Sequence, residues 1–108
     1  MQLHPLKLVT IVAEQILKEQ LIKKGTELGA TGCTYFEAEG TGSRGARSEG
    51  ISSDFTGSNV RIEFICPQSV ADAIMTYVSH HYFENYACIA WVSDVSVVRG
   101  ERYLKHGS

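Results

Sequence analysis

The stretch that decides the fold is NVRIEFICPQSVADAIMTYVSHHY, residues 59–82. It opens by alternating: Val60, Ile62, Phe64 and Cys66 are apolar, while Arg61 and Glu63 between them are charged. A period of two over Asn59 to Cys66 predicts a strand with one face buried and the other partly wet. At Pro67 the period changes. Proline suits the start of a helix, where its missing N–H has no partner to lose. Val70, Ala71, Ile74, Val78 and Tyr82 then recur on one 3.6-residue stripe.

Working outward, Leu6 to Val12 is a β-branched run of strand length. Ala13 to Leu28 switches to helical spacing, with Ala13, Ile16, Leu17, Leu21 and Leu28 on one face. Glu14 with Lys18, and Glu19 with Lys23, read as i,i+4 pairs on its wet side. Gly25 and Gly29 bracket the helix end. Cys33 to Glu39 is a second strand, centred on Thr, Tyr and Phe. After the second helix, Ala87 to Val92 reads as a fourth strand and Val95 to Val98 as a short fifth. The order is β-α-β-β-α-β, an α+β, ferredoxin-like sandwich with helices on one face of an antiparallel sheet. The other sheet face still carries apolar groups, and self-association is the simplest way to cover it.

Composition bounds the function. A chain of 108 residues is one domain with a modest core, and copies of itself would add to it. With 44% hydrophobic and 20% charged residues, disorder is excluded as a general state. A formal net charge of -2 argues against a nucleic-acid grip, which needs an excess of Lys and Arg. The cysteines, Cys33, Cys66 and Cys88, are odd in number and form no CxxC pair, which fits a reducing compartment. Residues 1–6 do not resemble a signal peptide, and no apolar run is long enough to span a bilayer. The expectation is a cytoplasmic protein with no direct membrane insertion, linked to a membrane only through a partner.

Between the second and third strands lies a long segment, Gly40-Thr41-Gly42-Ser43-Arg44-Gly45-Ala46-Arg47-Ser48-Glu49-Gly50, continuing to Ser58. Loops longer than about 12–15 residues are usually functional or disordered. Half of the 10 glycines fall here, and glycine lets backbone N–H groups converge and a ligand approach the main chain. Ser43 adds a hydroxyl; Arg44 and Arg47 add guanidinium forks matched to phosphate oxygens. The segment reads as an anion cradle, the alternative being a solvated loop whose charges contact nothing in particular. Gly40, Gly42 and Gly45 match G-x-G-x-x-G by accident, because that fingerprint needs a following helix and a strand follows here.

This segment resembles the T-loop base of PII-like signalling proteins of the carbon-sensing branch. That branch includes the SbtB-type bicarbonate-transporter-associated proteins and the carboxysome-associated PII proteins. The resemblance continues through Asn59-Val60-Arg61-Ile62-Glu63-Phe64 and Tyr82-Phe83-Glu84-Asn85-Tyr86-Ala87, spanning about Leu6 to Arg99. It implies a single PII-like domain over 1–108, with a T-loop at about 41–58 and a flexible C-terminal tail at about 102–108. It further implies a homotrimer with an adenine nucleotide in each intersubunit cleft: AMP or ADP, with ATP and cyclic AMP as further candidates. Residue by residue, it assigns Gly42, Ser43, Arg44 and Arg47 to the phosphates and Asn59 to the ribose. The backbone of Ala87 and Cys88 would read the adenine, and Arg99 would reach a neighbour's phosphate. No cofactor is expected to be tightly bound. The segment lacks the modifiable tyrosine of the nitrogen-regulatory members, and Phe83-Glu84-Asn85-Tyr86 replaces their lysine-bearing loop. The tail has no cysteine, so the redox loop of some SbtB-type members is missing and the resemblance leans to the carboxysome-associated relatives, with bicarbonate as a second effector.

Two function classes stand side by side. One is a ligand-gated regulator whose T-loop contacts a bicarbonate transporter or carboxysome-associated protein in a carbon-concentrating mechanism. The other is a slow ATP or ADP phosphohydrolase, disfavoured because the loop offers cations but no metal-holding carboxylate pair; Glu49 and Asp54 are its acidic residues. No catalytic residue is assigned. His80, His81 and Glu84 are too few for a zinc site and suit a helix end. Tyr82, Phe83 and Trp91 are expected in the core or an interface rather than stacking on bases.

Overall fold

A computed structural model describes residues 1–39 and 58–99. Strand β1, Leu3–Glu14, passes through a 3-10 turn, Gln15–Leu17, into helix α1, Lys18–Glu27. Strands β2, Thr34–Ala38, and β3, Asn59–Cys66, follow; helix α2 is Gln68–His81 and strand β4 is Cys88–Val98. The sheet has 4 strands in the order β2-β3-β1-β4, and every pairing is antiparallel. This is the ferredoxin-like arrangement expected from the element order.

The alternation in β3 falls as its sequence requires, with Val60, Ile62, Phe64 and Cys66 all buried. Val9, Ile11 and Ala13 of β1 sit opposite Phe64, Ile62 and Val60, so both central strands present one apolar face to the helices. Leu17 and Leu21 cover it from α1, and Val70, Ala71, Ile74 and Val78 from α2, with Tyr82 closing the layer just past the helix end. Pro67 caps α2 from outside rather than opening it: its carbonyl accepts the N–H groups of Val70 and Ala71. Helix α1 ends in a Schellman motif, in which Ala30 N–H reaches Gly25 O at 3.0 Å and Gly29 N–H reaches Thr26 O at 3.1 Å. Gly29 supplies the positive φ of 124° that this turn demands.

The ends of several elements differ from expectation. β1 runs on to Glu14, so Ala13 is a strand residue buried in the core, and Glu14 is not a helical partner for Lys18. Ile16 does not share the buried helical face; it is 75% exposed on the 3-10 turn, where the tighter winding turns it away from Leu17. The fourth and fifth strands are a single one. β4 pairs with β1 from Ala13↔Cys88 to Leu3↔Val98, and an edge strand carries the polar Ser93 and Asp94 without interruption. Beyond Lys7↔Cys66 β3 stops, and β1 and β4 continue as a two-stranded ribbon.

Among the described residues, no helix lies over the second sheet face. It presents Phe36, Trp91 and Ile89, at 47%, 37% and 59% exposed, around the half-buried Val12 and Arg61. Arg61 lies between two rings, 5.8 Å from Phe36 and 5.4 Å from Trp91, and its Nε is 3.2 Å from a Glu63 oxygen. The expected apolar second face is therefore present, and a guanidinium–aromatic stack crosses it. Trp91 and Phe83, the latter 41% exposed, lie outside the core, whereas Tyr82 is within it.

Candidate functional site

Register brings three of the expected binding positions, Asn59, Ala87 and Cys88, to one end of the sheet. Ala38, the last residue of β2, faces Asn59, the first of β3, so both roots of the long loop meet there. Asn59 in turn faces Glu14, the last residue of β1. On the far side of β1, Cys88 faces Ala13, which sets Ala87 beside Glu14. Asn59, Glu14, Ala87 and Cys88 are all half-buried, so the row is open to a ligand on one side and backed by the sheet on the other.

Local structure fixes the segment before β4. Tyr82 is buried; its hydroxyl donates to Gln20 Oε1 at 2.7 Å, tying the end of α2 to α1. Tyr86 N–H returns to Tyr82 O at 3.0 Å, and the two rings tilt together at 5.7 Å between centroids. The next donor, Ala87 N–H, goes to the Glu14 carboxylate, 2.6 Å from Oε2. On the other flank, Gln15 N–H donates to Ser58 O at 2.8 Å and holds the far root of the loop against the start of the 3-10 turn. Residues 14 and 15 thus bind both segments that frame the row.

The Cys88 thiol is pushed up to about 11, first by burial and then by the nearby charge of Glu14. The shift favours the neutral thiol, the less nucleophilic form. Gly42, Ser43, Arg44 and Arg47 lie outside the described residues, as does the tail. Arg99 is described and exposed, in a left-handed conformation with φ of 68°. It follows Val98, the opposite end of β4, which lies roughly 33 Å along the strand from Cys88 at about 3.3 Å per residue. Within one protomer it does not join Asn59 and Ala87. Near that opposite end is an open groove lined by Leu6, Lys7, Gln68, Asp94 and Ser96, among others.

Sequence reasoning missed Glu14. Helical spacing pairs it with Lys18, whereas β1 carries it into the row, and Lys18 instead places its ammonium 4.6 Å from the Tyr35 ring. The apolar run through Ala13 is the available signal that the strand has not yet ended. His81 stacks on Tyr77 at 3.9 Å with its Nδ1 3.0 Å from Tyr77 O, a helix-end role as expected.

The family model for nitrogen regulatory protein P-II matches residues 6–102. The chain belongs to the P-II family. A Thermus thermophilus protein assigned to the PII-like signalling proteins is 44% identical over 95% of this chain and 99% of its own, with a TM-score of 0.79. CPII from Thiomonas intermedia, in a structure with ADP and bicarbonate, is 25% identical, covering 94% and 97% of the two chains at a TM-score of 0.77. A Bacillus subtilis GlnK–ATP complex shares the fold at 14% identity and a TM-score of 0.61 over 84% of this chain and 82% of that one. For this P-II family member, the roots of the long loop and the α2–β4 segment meet at one sheet end. Among the described residues no helix is long and apolar enough to cross a membrane.

Proposed function

We propose that this PII-like signalling protein senses an adenine nucleotide, AMP or ADP foremost, in clefts between the protomers of a homotrimer. The observation that carries this reading is the convergence of Ala38, Asn59, Ala87 and Cys88 at one sheet end, against an uncovered apolar face. Asn59 would take the ribose, the Ala87–Cys88 backbone the adenine, and Gly42, Ser43, Arg44 and Arg47 the phosphates. Arg99 belongs at the opposite end of the protomer, so it would serve the cleft of a neighbour.

Bicarbonate is proposed as a co-effector. The Thiomonas protein provides the support, having been seen with ADP and bicarbonate together. By resemblance of the loop to the carbon-sensing branch, the downstream partner would be a bicarbonate transporter or a carboxysome-associated protein in the cytoplasm. Ligand binding shifts the loop only by favouring one of its states, so partner affinity must change with nucleotide occupancy.

Calorimetric titration with AMP, ADP, ATP and cyclic AMP, each with and without bicarbonate, tests the reading. Saturable binding of an adenine nucleotide by a trimer, strengthened by bicarbonate, is expected. A monomer indifferent to all four ligands at millimolar concentration would overturn it.

A further inference from the structure

Glu14 places a carboxylate beside the positions read as holding the nucleoside, Asn59 and Ala87. Its Oε2 accepts the Ala87 N–H at 2.6 Å, continuing the β1–β4 ladder one step past Ala13↔Cys88 with a side chain in place of a carbonyl. The antiparallel register sets Asn59 directly opposite, so the two side chains leave the sheet on the same face. The ion pairs among the described residues are Lys7–Asp94, Lys24–Glu27 and Arg61–Glu63, and none involves Glu14. Its charge is half-buried at the edge of the row and reaches the neighbouring Cys88 thiol.

We propose that Glu14 is a specificity-determining residue of the ligand site, a fixed carboxylate that accepts the hydroxyl or amino donors of a nucleoside and turns phosphoryl groups away from the Ala87 amide. The role rests on the nucleotide reading above. A backbone N–H has a single hydrogen, and here it is already given to a carboxylate. A phosphate seeking that donor must displace Glu14 and then sit within a few ångströms of a like charge. A sugar hydroxyl meets no such penalty, because the carboxylate keeps a free oxygen able to accept it beside the Asn59 amide. The nucleoside end of the ligand is thereby directed to Glu14 and Asn59, and its phosphates away from the Ala87 amide.

Glu14→Gln retains an acceptor for Ala87 N–H and removes the charge. Adenosine, AMP, ADP and ATP are titrated calorimetrically into the wild-type protein and the variant at one ionic strength. Adenosine is expected to show no gain, while the affinity gain rises with phosphate number to roughly three- to tenfold for ATP, the size of one screened charge–charge contact. A gain equal for all four ligands, or no change at all, would reduce Glu14 to a strand end and overturn its role. Amide exchange of the ligand-free proteins gives a second readout: Ala87 stays protected in Glu14→Gln and loses protection in Glu14→Ala. Fast exchange in the wild-type protein would also overturn the role. Wild-type binding with a flat variant series removes this role alone; wild-type indifference to every ligand removes the nucleotide reading with it.

Discussion

Gly25 shows how one missing atom sets a packing distance. It is buried in α1 with no side chain, and a Cβ built there would lie 2.3 Å from Cζ of Phe64, itself fully buried. In an exposed helix Gly→Ala gains about 1 kcal/mol from propensity. Here the ring on β3 has no room to retreat, so Gly25→Ala is expected to destabilise by about 1–3 kcal/mol, the range for overpacking a core. Urea denaturation measures it. The buried thiols make a second prediction. Burial pushes Cys66 up to about 11 from an ordinary 9.0, and Cys88 to a similar value. Between those values the unfolded chain loses the proton first, so ν of the unfolded state falls below that of the native state and stability declines. Denaturation midpoints should therefore hold below about pH 9 and fall as the pH rises toward 11. Replacing both cysteines by alanine should flatten that alkaline slope, whatever it does to absolute stability. Glu14 marks the limit of sequence reading at this scale. Its fourfold spacing to Lys18 is a valid helical signal, and only the β1 pairing shows that no helix exists there to express it.

Between elements, the bond from Tyr82 to Gln20 is a hydrogen-bonded link from the end of α2 to α1, beside the Lys24 ammonium over the Tyr77 ring. Tyr82→Phe should cost about 0.5–1.5 kcal/mol, the net value of one hydrogen bond, and Gln20→Ala much the same. A double-mutant cycle in which the two losses simply add would deny the link. The same bond seats the turn that delivers Ala87, so Tyr82→Phe should also raise amide exchange over residues 83–87. Element type was legible wherever burial imposes a period: β3 and the α2 stripe follow their sequence residue by residue. Element ends were less so. The 3-10 turn breaks the helical period at Ile16, and the polar Ser93 and Asp94 mimic a gap in β4. They are tolerated because β4 lies at the sheet edge, where half its backbone groups face away from any strand.

For the whole molecule, the decisive surface is the sheet face without helices. Apolar groups left over for it were expected from the sequence, but the row Phe36–Arg61–Trp91 was not legible, since it joins residues from separate strands. Trp91→Glu would place a carboxylate in that face beside Glu63's row. We expect it to shift the sedimentation behaviour from three chains to one while circular dichroism stays native; an unchanged trimer would move the interface elsewhere. Arg44→Ala should weaken nucleotide binding by about 1.5–3 kcal/mol, the size of a lost charge-assisted hydrogen bond, and unchanged calorimetric affinity would remove that residue from the site. The candidate site itself was only half legible: the binding positions came from resemblance, while the gathering of Asn59, Ala87 and Cys88 at one sheet end depends on register.

The length of β4 has a consequence for genetics. Asn59 and Arg99 stand at opposite extremities of one subunit, so a cleft that uses both must borrow one from each of two copies. Two inactive alleles, one defective at each extremity, should then complement when co-expressed. Random assembly would leave about one cleft in four with both extremities intact, whereas either allele by itself would leave none.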